Sequence, residues 1–86
     1  MPGISRDNDS AGGDLIPSQT TVFANNELVI VNGDSVADHG SGKHSAPTMV
    51  AGSNKVFVGG IPVVNAGDSA TCGHTASGSS DVIVGD

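Results

Sequence analysis

Two stretches of this chain are copies of one unit, and that repetition constrains the fold more than any other feature. Val22-Phe23-Ala24-Asn25-Asn26-Glu27-Leu28-Val29-Ile30-Val31-Asn32-Gly33-Asp34-Ser35 aligns without gaps on Val56-Phe57-Val58-Gly59-Gly60-Ile61-Pro62-Val63-Val64-Asn65-Ala66-Gly67-Asp68-Ser69. Asn25-Asn26 falls opposite Gly59-Gly60, and both pairs suit a two-residue hairpin turn that needs positive φ. Each copy therefore predicts a strand, a tight turn, a second strand and a closing Gly-Asp-Ser turn. A single Val-Phe match could arise by chance, but the turn pair and the Gly-Asp-Ser together could hardly do so.

A third copy is divided between the chain ends. Asn8-Asp9-Ser10 matches the closing turn, and Val82-Ile83-Val84-Gly85-Asp86 matches the first strand, stopping where the hairpin would turn. Joining residue 86 to residue 1 would nearly complete the unit. The expectation is an approximately threefold fold with its two ends close together. A plain β-meander with recurring turn residues is the alternative, and the circular closure favours threefold symmetry.

The rest of the composition agrees with short strands. Val and Ile number 16 against two Leu, a bias toward strand. Gly and Pro interrupt nearly every stretch long enough for a helix, and residues 18–32, which escape them, lack helical periodicity. The 86 residues have room for one domain, 1–86, with a thin core: 20 Leu, Ile, Val and Phe, no Trp or Tyr, and 13 Gly. Domains this small gain only about 3–5 kcal/mol from packing, so a staple is expected. One cysteine excludes an intrachain disulfide, which leaves a metal.

Charge removes other classes of function. A net charge of −6 with three basic residues repels phosphate backbones, and no aromatic platform exists for stacking bases. Nucleic-acid binding is not expected. No apolar run is long enough to span a bilayer, and the chain opens with nothing resembling a signal peptide.

The connections between copies differ in a telling way. Asp9 to Val22 is 13 positions and Asp68 to Val82 is 14, whereas Asp34 to Val56 is 22. The middle copy thus carries a Gly- and Ser-rich insertion, and it holds His39 and His44. Cys72 and His74 lie in the corresponding loop of the next copy, and these four are all the His and Cys in the chain. If rotation relates the copies, those loops converge near its axis. Four N/S donors there fit tetrahedral zinc, and the thiolate argues against calcium or magnesium. The opposing reading is that loop histidines are merely solvated, and the spacing is not that of a familiar zinc finger. The need for a staple favours the metal. A site with four protein ligands leaves no position for an activated water, so its role would be structural.

Enzymatic readings fare worse. In an extended segment Cys72 and His74 would point to opposite faces, an awkward arrangement for a catalytic dyad. No nucleophile-elbow pattern anchors a Ser-His-Asp triad. Asp9, Asp34 and Asp68 recur at matching turns, which suits side-chain-to-backbone bonds better than acid/base work in unlike environments. A small metal-dependent hydrolase and a generic zinc-stabilised adaptor remain as alternatives to a purely structural module.

Repeated strand pairs with Gly-Asp turns, a His/Cys site between them and joined ends resemble the PAAR-repeat proteins over essentially the whole chain. The family takes its name from a Pro-Ala-Ala-Arg run shortly before a Gly-Asp. The matching positions here are Gly3-Ile4-Ser5-Arg6, Leu28-Val29-Ile30-Val31 and Pro62-Val63-Val64-Asn65. Arg6 and Pro62 keep the family residue; no copy is intact, so the chain is PAAR-like. The resemblance implies an all-β, cone-shaped pseudo-threefold arrangement of short hairpins whose apex is stapled by zinc, or by iron. In that family three His and one Cys bind the metal, which would be His39, His44, Cys72 and His74. It implies no catalysis, and one cap per trimer on the β-helical spike of type VI secretion systems or contractile phage tails. Such a cap is made in the cytoplasm without a signal peptide, ends outside the cell or at the virion tail tip, and meets the target membrane mechanically. Larger relatives carry toxin domains, whereas this chain has residues for the cap alone. Val22, Phe23, Val56, Phe57, Val82 and Ile83 are the expected spike-facing residues, with burial in the core as their alternative fate.

Overall fold

The computed structural model describes residues 3–52, 56–79 and 81–83. Six two-residue strands carry the regular structure: β1 (Leu15–Ile16), β2 (Phe23–Ala24), β3 (Glu27–Leu28), β4 (Ser35–Val36), β5 (Phe57–Val58) and β6 (Ile61–Pro62). The one helical element among the described residues is a single 3-10 turn, Gly42–His44. The fold is all-β and rich in hairpins, as the repeats predict.

Strands β2 and β3 pair antiparallel with Phe23 opposite Leu28, and β5 and β6 pair with Phe57 opposite Pro62. Their turns hold Asn25 and Asn26 at φ 53° and 64°, and Gly59 and Gly60 at 58° and 83°. This is the left-handed conformation that two-residue hairpins require, and Asn and Gly tolerate it best. The divided third copy closes in the same register. Gly3 pairs with Ile83, and the amide of Ile4 donates to the Val82 carbonyl at 2.9 Å. The equivalent bonds are Val29 to Val22 at 3.1 Å and Val63 to Val56 at 3.0 Å. Val84, Gly85 and Asp86, the rest of that expected strand, lie outside the described residues.

The second strands of the three copies meet in a closed cycle of hydrogen bonds. Ser5 N–H donates to Val64 O (2.9 Å), Val64 N–H to Ile30 O (2.8 Å), and Ile30 N–H to Ser5 O (3.0 Å). All three residues have no exposed surface. Each ring strand then turns at its aspartate. Asp9, Asp34 and Asp68 accept from the amides of Arg6, Val31 and Asn65 at 2.8, 2.9 and 2.9 Å. A buried backbone donor left unpaired is costly, and a carboxylate three residues on satisfies it. The recurring aspartates are turn formers, as their matching positions indicated.

Two apolar clusters flank this ring. One gathers Ile4, Ala24, Val29, Val31 and Val63 beside the hairpins. The other holds Leu15, Ile30, Val36, Met49, Val64, several alanines and Cys72. Strand β1 ties the copies together by pairing with β4, Leu15 opposite Val36. Along each copy the chain therefore runs from hairpin to ring to turn, and then into a loop that lies next to the second cluster.

Candidate metal centre

The loop inserted in the middle copy is folded tightly by its own polar groups. Asp38 Oδ1 accepts from the Ala46 amide at 2.5 Å, and the His39 amide donates to the His44 carbonyl at 3.1 Å. The 3-10 turn over Gly42–His44 brings His44 back beside His39, with ring centroids 5.0 Å apart. In the next copy, Gly73 at φ 94° bends the chain between Cys72 and His74. The segment is therefore not extended, and the opposite-faces argument does not apply to it. Alternation holds for extended backbone, and here a turn places Cys72 Sγ 3.5 Å from His74 Nδ1.

All four expected donors come together. One donor atom from each of His39, His44, Cys72 and His74 lies within 4.8 Å of every other. His39 Nε2 stands 3.0 Å from His74 Nδ1 and 3.2 Å from His44 Nδ1. Cys72 is buried against the second apolar cluster, His39 and His44 are half-buried, and His74 is exposed. The other nitrogen of His39, Nδ1, lies 3.0 Å from the Ala37 carbonyl. A carbonyl only accepts, so Nδ1 carries the hydrogen, and in the neutral ring Nε2 presents a lone pair to the cluster. A backbone carbonyl fixing the tautomer of a histidine in this way is the usual support of a metal-ligating imidazole. Soft and borderline donors aimed at one point can chelate a metal ion, and one cation would satisfy all four at once.

Sequence reasoning missed one component of this site. The loop of the first copy holds no His or Cys, yet its Gly12 lies against the donors. A Cβ at Gly12 would stand 2.3 Å from His74 Nδ1 and 2.7 Å from His39 Nε2. The available signal was positional: Gly12 and Gly13 follow Asp9 by three and four residues, and Cys72 follows Asp68 by four.

The six residues expected to face a partner are all at the surface. Val22, Phe23, Val56, Phe57, Val82 and Ile83 are each at least 37% exposed. Burial in the core, their alternative fate, is excluded. They occupy matching positions on the two hairpins and on the segment that pairs with residues 3 and 4.

Comparison with known families settles the kinship of this arrangement. The PAAR motif matches residues 6–78, nearly the whole chain. This chain belongs to the PAAR motif family. No curated protein matches it. The PAAR motif marks a structural, non-catalytic module associated with the trimeric spike proteins of type VI secretion systems and phage tails. Membership and the donor cluster together make this PAAR chain a metal-associated spike cap rather than an enzyme. Among the described residues, no helix is long and apolar enough to cross a membrane.

Proposed function

We propose that residues 1–86 form one PAAR-like cone that seats on the end of a trimeric β-helical spike, one copy per trimer. Zinc held by His39, His44, Cys72 and His74 stiffens its narrow end. Val22, Phe23, Val56, Phe57, Val82 and Ile83 make its wide end. The observation that carries this reading is the set of two hairpins and one pairing of the chain ends in matching register, each exposing an apolar pair. A three-chain shaft ends in three open strand edges and an apolar cross-section, a surface prone to unwanted pairing. A single chain with three equivalent strand pairs can cover that end symmetrically. Overall extents of 33 × 24 × 23 Å, with two nearly equal short axes, suit a body built around one long axis.

Distances support zinc. Tetrahedral zinc bonded at about 2.0–2.1 Å to nitrogen and about 2.3 Å to sulfur holds its ligands roughly 3.3–3.6 Å apart. The three donor contacts described above, 3.0, 3.2 and 3.5 Å, lie close to that spacing. The ion would supply rigidity where the chain is too narrow for a hydrophobic core, and four protein ligands leave it no open position for reactive water. Metal analysis of the purified protein distinguishes zinc from iron. Delivery by a contractile apparatus would place the cap outside the producing cell or at a virion tail tip, where it contacts the target membrane mechanically.

The test is co-purification with the trimeric spike of the same system, followed by native mass determination. One cap per three spike chains is expected. Phe57→Asp should weaken the complex by about 30-fold or more, as for a central anchor residue, with metal content unchanged. Three caps per trimer, or no binding to a matched spike, would overturn the reading.

A further inference from the structure

We infer that Gly12 closes the metal site, acting as a positioning residue that holds the coordination number at four. The inference rests on the reading of His39, His44, Cys72 and His74 as the ligands. Two of the three loops supply those donors, and the third supplies bare backbone. Gly12 adopts φ +85°, and a methyl group on it would lie 2.3 Å from His74 Nδ1, 2.7 Å from His39 Nε2 and 2.8 Å from His74 Cγ. Real Cβ atoms essentially never approach other atoms so closely. The position therefore accepts no side chain while those nitrogens keep their places.

His39 has little room to retreat. His39 is held through Nδ1 by the Ala37 carbonyl and through its amide by His44 O. The His74 carbonyl accepts from the Ala70 amide at 2.8 Å, and its ring lies 4.9 and 5.1 Å from the other two imidazoles. The glycine loop is equally fixed. Ala11, fully buried in the cluster that includes Cys72, donates its amide to Gly13 O at 3.0 Å. A Cβ at Gly13 would strike the Ala37 carbonyl at 2.3 Å, the same oxygen that orients His39. Gly12 and Gly13 thus fit the loop against the donor face with nothing between. The third side of the site is closed by backbone, so a fifth ligand from solvent would have to enter past the exposed His74. A site closed in this way favours tetrahedral zinc over ions that hold six ligands.

Cobalt substitution tests this on the full chain, because four-coordinate cobalt absorbs visible light far more strongly than five- or six-coordinate cobalt. Gly33 provides the control. It has a similar φ of +88° but nothing within 4 Å of an added Cβ, so Gly33→Ala carries the backbone penalty without the clash. Gly12→Ala should bind zinc and cobalt at least about tenfold more weakly, with its cobalt bands altered, as happens when a ligand's support is removed. Gly33→Ala should keep the parent affinity and spectrum. A Gly12→Ala protein with both unchanged overturns the inference. Should that variant not fold, the cobalt-loaded parent is titrated with azide and with imidazole. An unchanged spectrum supports closure, and a five-coordinate spectrum overturns it. A parent protein lacking any thiolate-to-cobalt absorption refutes the ligand set itself, an outcome distinct from a site that binds cobalt but stays open.

Discussion

In the ring, Ser5, Ile30 and Val64 make the same bond to one another in turn. The loops that leave the ring share neither length nor chemistry: one brings His39 and His44, one brings Cys72 and His74, and one brings Gly12 and Gly13. The ring is made by repetition. Each copy meets a neighbour shaped like itself, so backbone bonds and small apolar side chains suffice. The loops are made by division of labour, each bringing a different part to the site. Three equal copies specify a closed ring cheaply, but a single ion has one set of ligands, which three identical loops could not supply without excess. Departure from symmetry is therefore the mark of the functional end.

This contrast is broken most severely by taking away one donor. Cys72→Ala should abolish stoichiometric metal binding and lower stability by more than about 5 kcal/mol. Structural zinc sites contribute on the order of 10–16 kcal/mol of apparent binding energy in finger peptides at neutral pH. Metal analysis and a thermal melt on the same sample check it. A variant that loses metal yet melts as the parent does would mean that the loops hold themselves.

What the sequence reveals follows the same division. The hairpin turns, the aspartate bonds and the divided third copy were readable because each is stated at least twice, and repetition separates signal from chance. The four donors were readable as a set because no other His or Cys competes with them. Their directions were not. Gly73 at φ 94° turns Cys72 toward His74, and no alternation rule foresees a turn inside a three-residue segment. Gly12 escaped notice because its contribution is the absence of a side chain. The outward facing of Val22-Phe23 and its equivalents was undecided for a different reason: an apolar residue at a strand position serves a core or a partner equally well.

The ring is the next place to strike. Ile30→Ala empties a fully buried position that belongs both to the hydrogen-bonded cycle and to the second apolar cluster. The expected loss is about 2–5 kcal/mol, the transfer term plus the cavity left behind. Denaturation with metal bound should show that loss, while titration still shows one metal per chain. If metal binding fell together with ring stability, the two regions would form one cooperative unit, and the contrast drawn above would vanish.

The smallest effect belongs to the copy that keeps the family arginine. Arg6 Nε donates to Asp9 Oδ2 at 2.8 Å, and Ser77 Oγ donates to Asp9 Oδ1 at 2.9 Å. Burial by itself would push the Asp9 carboxyl up, but the bonds from Arg6, from Ser77 and from the Arg6 amide, with the nearby positive charge, together hold it below its ordinary value of 3.8. Asp34 keeps the equivalent serine bond, from Ser18, but has Val31 at the position of Arg6, so this ion pair distinguishes one copy from another. Asp9→Asn keeps an acceptor for the backbone and removes the charge, at a cost of about 1.5–3 kcal/mol near neutral pH. The sign of the pH dependence follows from the lowered carboxyl. The unfolded chain takes up this proton first as the solution is acidified, so the stabilisation is complete above the ordinary aspartate value and disappears as the pH falls through the folded one. Denaturation of parent and variant between about pH 6 and pH 2 should therefore show a gap that is constant at first and then closes in acid. Because Asp9 is no metal ligand, any release of the ion in acid affects both proteins alike and leaves that gap to report the ion pair. A gap that stayed constant to the lowest pH would show that the contact between Arg6 and Asp9 does not depend on charge.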